Sequence, residues 1–155
     1  MTTSRSSAIA IKIILTSFYM LLLLASSMIP MDRQIKGIQF VIELKPAIQN
    51  LLHVPMFAIL SFLLLLILQS FQIVNWKRNA IVLLSSGLFG LINEIIQIPV
   101  PGRYGGLTDI LLNFAGAILG IIVFFLVEKS INSPPRSLRA LRRNKVKNPR
   151  RSLRE

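Results

Sequence analysis

Two carboxylates, Glu94 and Asp109, lie inside long apolar stretches, where an ionisable side chain is costly and its placement therefore informative. The chain's one histidine, His53, sits near the start of another apolar stretch, and Arg103 falls between the two carboxylates in sequence. Gln97 and Asn113 accompany them, three residues after Glu94 and four after Asp109. Two carboxylates and an imidazole are a set able to give and take protons, and an arginine beside them is able to hold a phosphate or carboxylate. The same residues also suit a structural role. Arg103 is placed for a bidentate contact with Glu94 or Asp109 that would staple two helices. His53, Gln97 and Asn113 suit hydrogen bonds between helices. Cysteine is absent, which excludes disulfides, thiolate metal sites and a cysteine nucleophile, and a single histidine excludes a multi-histidine metal centre. No metal and no cofactor is expected.

Four apolar runs must position these groups. They cover roughly residues 8–28, 47–71, 80–98 and 108–127. Each is near the ~20 residues needed to cross a hydrocarbon core, and each is continuous rather than alternating, which excludes barrel strands. With a mean hydropathy of +0.64 and 53% hydrophobic residues, the chain needs a bilayer as solvent. The expected fold is all-α, an integral membrane bundle of four transmembrane helices in residues 1–128. Residues 129–155 hold ten Lys/Arg against one acid, together with Pro134, Pro135 and Pro149. They are expected to form a disordered basic cytoplasmic tail. Its lack of aromatic residues favours contact with anionic lipid over nucleic acid.

Arg5 and Lys12, the Lys77-Arg78 pair and the tail all fall on one side of a four-span topology, so both termini are expected in the cytoplasm. Cleavage of the first run as a signal peptide at Ala25-Ser26-Ser27 is the alternative, and the run is long for that purpose. The first outer loop carries Ile35, Ile38, Val41, Ile42 and Leu44, a pattern consistent with a short interfacial helix. In this orientation His53, Glu94, Gln97, Arg103, Asp109 and Asn113 share the outer depth.

Helical spacing groups them further. Asp109, Asn113, Gly116 and Gly120 make one stripe, and Ser86, Gly90, Glu94 and Gln97 make another. The matched stripes predict that the third and fourth spans pack on each other through small residues. Pro101-Gly102 predicts a type II turn between them, Thr108 an N-cap, and Asp109 an anion at a helix N-terminus. Pro55 cannot donate to the Leu51 carbonyl, which predicts an irregular helix one turn from His53.

The ordered pattern Asn93-Glu94-x-x-Gln97, Pro101-Gly102-Arg103, Thr108-Asp109-x-x-x-Asn113-x-x-Gly116-x-x-x-Gly120 resembles the VanZ-like membrane proteins. His53 followed by Phe57 at the start of the second span is similar to that family as well. The resemblance covers most of residues 46–127. It implies a multi-pass protein of the bacterial cell envelope, and the family's name-giving member is associated with low-level resistance to teicoplanin, a lipid-bearing antibiotic.

Three functions follow as expectations. The first is a non-enzymatic inner-membrane protein whose outer-leaflet site binds an amphiphile, a lipoglycopeptide or a partner membrane protein. The second is an enzyme acting on a lipid-linked substrate by carboxylate and histidine chemistry. The third is a dimeric transporter, disfavoured because none of the four runs has a charge at its midpoint. Oligomeric state is not encoded in any of these features.

Overall fold

The computed structural model describes residues 2–30, 46–103 and 105–133. Its elements are α1 (Thr2–Ser27), α2 (Pro46–Leu51), α3 (His53–Leu68), α4 (Asn75–Gln97) and α5 (Leu107–Asn132). Four segments are long and apolar enough to cross a membrane: Arg5–Ser27, Ile48–Leu68, Asn75–Gln97 and Leu107–Asn132. At 1.5 Å per residue the shortest reaches about 32 Å, enough for a hydrocarbon core of about 30 Å. The protein is an all-helical, multi-pass membrane protein. The interfacial segment expected within residues 31–45 and the tail residues 134–155 lie outside the described residues.

Pro46 opens α2, where a missing N–H costs nothing. The second span is interrupted once, at Leu52, whose N–H reaches back only three residues to the Gln49 carbonyl (3.1 Å). The break adjoins Leu51, whose carbonyl Pro55 is unable to serve. The irregularity predicted beside His53 is therefore present as a tightened turn.

In lipid, apolar faces gain nothing by meeting, so small and polar residues decide which faces turn inward. α4 illustrates this: it is the least apolar span and the most enclosed. Its buried positions include Ser86, Gly87, Gly90, Asn93, Glu94 and Gln97. Leu23, Phe57, Leu60 and Phe89 form one buried apolar cluster, and Leu65, Val82 and Phe124 form a second.

Gly116 and Gly120 pack on α3 rather than on α4. A Cβ at Gly116 would run into the Val54 carbonyl oxygen, and one at Gly120 into that of Ala58. Ser86 also faces α3, its hydroxyl 2.9 Å from that of Ser61. Gly90 lies between Asn113 and Phe57. The two stripes thus meet each other at Gly90 and Asn113, as predicted, while Ser86, Gly116 and Gly120 turn to α3. Spacing defines a face; it does not define which of several neighbours meets that face. The α4–α5 contact runs through Gly90, which meets Asn113, and through Gly87, which sits on the Phe114 ring.

Bonds to helix-end carbonyls lock α1 to α3 at one end of the bundle. Lys12 Nζ donates to the Leu66 carbonyl (2.9 Å) and the Ser70 hydroxyl (3.0 Å), and Arg5 Nη2 to the Ser70 carbonyl (2.9 Å). Midway, the Tyr19 hydroxyl donates to the Met56 carbonyl at 2.9 Å. Trp76 is exposed, with Lys77 Nζ 5.5 Å from its ring centroid.

The chain divides into two units, Met1–Phe124 and Phe125–Glu155. In the second, helix continues to Asn132, four residues past the boundary expected at residue 128, and the Ser133 hydroxyl donates to the Lys129 carbonyl (2.7 Å).

Candidate functional site

The turn between α4 and α5 sets the geometry of one end of the bundle. Arg103 N–H donates to the Val100 carbonyl at 3.1 Å, and Gly102 has φ 75°. These are the closing bond and the positive φ of the predicted type II turn. α5 then begins at Leu107, one residue before the expected cap. The Gly106 carbonyl accepts from Ile110 (3.3 Å), so Gly106, not Thr108, is the half-helical residue. Asp109 occupies the first turn of α5, where the helix dipole favours an anion. Gly105 passes over Glu94: a Cβ there would lie 2.9 Å from the Glu94 carbonyl oxygen and 3.1 Å from Oε2.

The six singled-out residues meet at this end but divide into two groups. The first joins α3, α4 and α5. His53 Nδ1 is 2.9 Å from Asn113 Oδ1 and 3.9 Å from Glu94 Oε1. With the amide oxygen as acceptor, Nδ1 carries the hydrogen. Asp109 lies close enough to Glu94 for the two carboxylates to repel. Glu94, Asp109 and Asn113 are 4%, 3% and 1% exposed, so water does not serve them freely. Both Glu94 carboxylate oxygens, Asp109 Oδ1 and Asn113 Nδ2 are buried without a hydrogen-bond partner. The Asn113 amide and the Gly106 N–H approach Glu94 but close no hydrogen bond of good geometry.

The second group turns toward α1, and it is paired throughout. Arg103 Nη2 donates to the Ser26 carbonyl (2.6 Å), Nε to the Ile29 carbonyl (3.0 Å) and Nη1 to Gln97 Oε1 (3.4 Å). Gln97 Nε2 donates to the Ser27 hydroxyl (3.3 Å), and that hydroxyl donates to Asn93 Oδ1 (2.6 Å), with the Leu23 carbonyl 2.9 Å away. The expected bidentate Arg103–carboxylate contact is not formed. The last carbonyls of α1 lack intrahelical donors and carry the negative end of the helix dipole, and they take the guanidinium instead. Burial lowers the Arg103 guanidinium from its ordinary pKa, and the Glu94 carboxylate acts in the opposite direction.

The match to a known family covers both groups: residues 2–128 fit VanZ/LLP1. The chain belongs to that family. No curated protein and no solved structure is significantly similar to it. In this VanZ/LLP1 chain, the end of α1 and the residues just after it supply part of the polar assembly, through Ser27 and the Ser26 and Ile29 carbonyls. The sequence reading missed Ser27 and Asn93 as site residues. Asn93 had a signal, because Asn93 and Gln97 are four apart and share a face. Ser27 had none beyond being a small polar residue near a helix end.

Beside the α3–α5 contact runs an apolar groove of about 280 Å³, lined by Pro55, Ile59 and Phe62 of α3 and Leu119 and Val123 of α5. Its lining begins two residues along the chain from His53. Among the described residues no group of three His, Cys, Asp or Glu side chains is arranged to hold a metal ion.

Proposed function

We propose that this VanZ/LLP1 protein binds the polar head of an amphiphile at the outer face of the cytoplasmic membrane, with His53, Glu94, Asp109 and Asn113 as the receiving groups. The observation that carries this is their unequal satisfaction. The Ser27–Asn93–Gln97–Arg103 group is paired, as a structural staple needs to be. The neighbouring group buries three carboxylate oxygens and an amide nitrogen with no partner. Such groups cost about 1–3 kcal/mol each when left alone, more when charged. A fold that keeps them has a use for their unspent bonding capacity.

The outer location follows from Arg5, Lys12, Lys77 and the basic residues after Glu128, which the positive-inside rule places in the cytoplasm at the opposite end. The apolar groove between α3 and α5 has the chemistry to accept a hydrocarbon chain. An enzymatic reading draws support from the 3.9 Å approach of His53 to Glu94, which brings an imidazole and a carboxylate side by side. It loses its anion holder, since Arg103 is committed to α1.

The deciding experiment reconstitutes the full chain in nanodiscs and measures retained amphiphiles by native mass spectrometry. Wild type is compared with Asp109→Asn and Glu94→Gln, each checked for an unchanged helical circular dichroism spectrum. Selective retention by wild type alone supports the reading. Equal profiles in three folded proteins rule it out.

A further inference from the structure

The outer group is unbalanced in charge and in hydrogen bonding, and both imbalances have the same sign. Two carboxylates, Glu94 of α4 and Asp109 of α5, face one imidazole, His53 of α3, which neutralises at most one of them. Among the described residues the permanent cation of this end, Arg103, spends three nitrogens on the Ser26 and Ile29 carbonyls and Gln97. It feels Glu94 but makes no hydrogen bond or ion pair with it. Three buried carboxylate oxygens lack donors, against one unpartnered donor nitrogen, Asn113 Nδ2. Asn113 is itself almost fully buried, and its oxygen is already committed to His53.

We infer that this site takes a protonated primary amine, the ammonium head of an outer-leaflet amphiphile seated between Glu94 and Asp109. The inference rests on the amphiphile reading above and narrows its ligand. An ammonium carries three N–H donors and one positive charge in a compact group, which matches three open acceptor oxygens and the surplus negative charge. A phosphate or carboxylate head meets two like charges and, among the described residues, no free cation. A hydroxyl supplies one donor and no charge. A quaternary ammonium supplies charge but no N–H, so it leaves the oxygens unsatisfied.

The test varies the ligand on unaltered protein first, with variants of unchanged helical circular dichroism as the controls. The full chain in phosphatidylcholine nanodiscs is offered four probes sharing one hexadecyl chain: the primary amine, its N-acetyl amide, its N-trimethyl derivative and the alcohol. Retention is read by native mass spectrometry. The primary amine is expected to be retained roughly tenfold to a hundredfold over the other three, the ratio that charge-assisted hydrogen bonds provide. Asp109→Asn and Glu94→Gln are expected to flatten the four values. If the amide or alcohol is retained as strongly as the amine and is lost on Asp109→Asn, the amine assignment fails while the amphiphile reading stands. Equal retention of the trimethyl probe also defeats the assignment, since charge alone then suffices. If no probe exceeds the Asp109→Asn baseline, both fail.

Discussion

Arg103 Nη2 donates to the Ser26 carbonyl at 2.6 Å, so the cation of the α4–α5 turn closes the C-terminal end of α1 and leaves Glu94 with only the His53 imidazole, 3.9 Å away, as an ion-pair partner among the described residues. This single contact separates the polar residues of the site into a paired half and an unpaired half. It also joins the first span to a turn more than seventy residues away.

Replacing Arg103 with Met is therefore a test of helix anchoring. The substitution removes the guanidinium donors from the Ser26 and Ile29 carbonyls and Gln97 Oε1, leaving Ser26 only the 3.4 Å bond from the Ile29 N–H. A loss of about 1–3 kcal/mol is expected, read as a lower midpoint of thermal unfolding in detergent. In a double-mutant cycle, Arg103→Met is expected to couple more strongly to Gln97→Ala than to Asp109→Asn. A larger coupling to Asp109 would mean that Arg103 serves the carboxylate after all.

The unpaired half predicts the opposite response. Glu94→Gln removes a buried carboxylate whose oxygens lack hydrogen-bond donors while keeping the side chain's shape. Unfolding midpoints of Glu94→Gln are expected to equal or exceed wild type, even as ligand retention falls, because active groups are often held at a stability cost. A marked drop in midpoint would identify Glu94 as a structural residue.

The glycines rank by what each one touches. Gly116→Ala and Gly120→Ala press a methyl group onto the Val54 and Ala58 carbonyls, which are backbone and yield only if helices separate. Each is expected to cost more than about 1–3 kcal/mol, the usual range for overpacking, and to reduce the folded yield. Gly87→Ala meets the end of the Phe114 ring, a partly exposed side chain free to swing aside, so a milder loss is expected. Fluorescence-detected size exclusion of the three variants gives the order directly.

Ser61 and Ser86 form a buried hydroxyl pair about 12 Å deeper along α3 and α4 than His53 and Glu94, eight residues away on each helix. Single changes to Ala strand one hydroxyl, whereas the double change removes both. The double variant is expected to be nearly as stable as wild type, with a coupling energy of about 0.6 kcal/mol and no more than about 1.7. A larger value from steric-trap or denaturant unfolding would show that the pair belongs to a wider network.

The sequence by itself determined the four spans, because continuous apolar runs of membrane-crossing length have no other stable solution than helices in lipid. It determined the Pro101-Gly102 turn, since the proline and the glycine each restrict their own backbone angles. It also located the break beside His53, from the N–H that Pro55 lacks. Tertiary structure alone decided the partners. Periodicity assigned Gly116, Gly120 and Ser86 to inward faces, yet only the bundle showed that all three meet α3. Arg103 was legible as a cation between two acids, but two of its acceptors are backbone carbonyls at and just past the end of α1, which no residue type announces. Gln97 and Glu94, three residues apart, fell on opposite sides of a boundary between a paired and an unpaired group. A stripe on one helix specifies a direction, whereas a bond requires a second helix at a particular distance and rotation, and packing sets both.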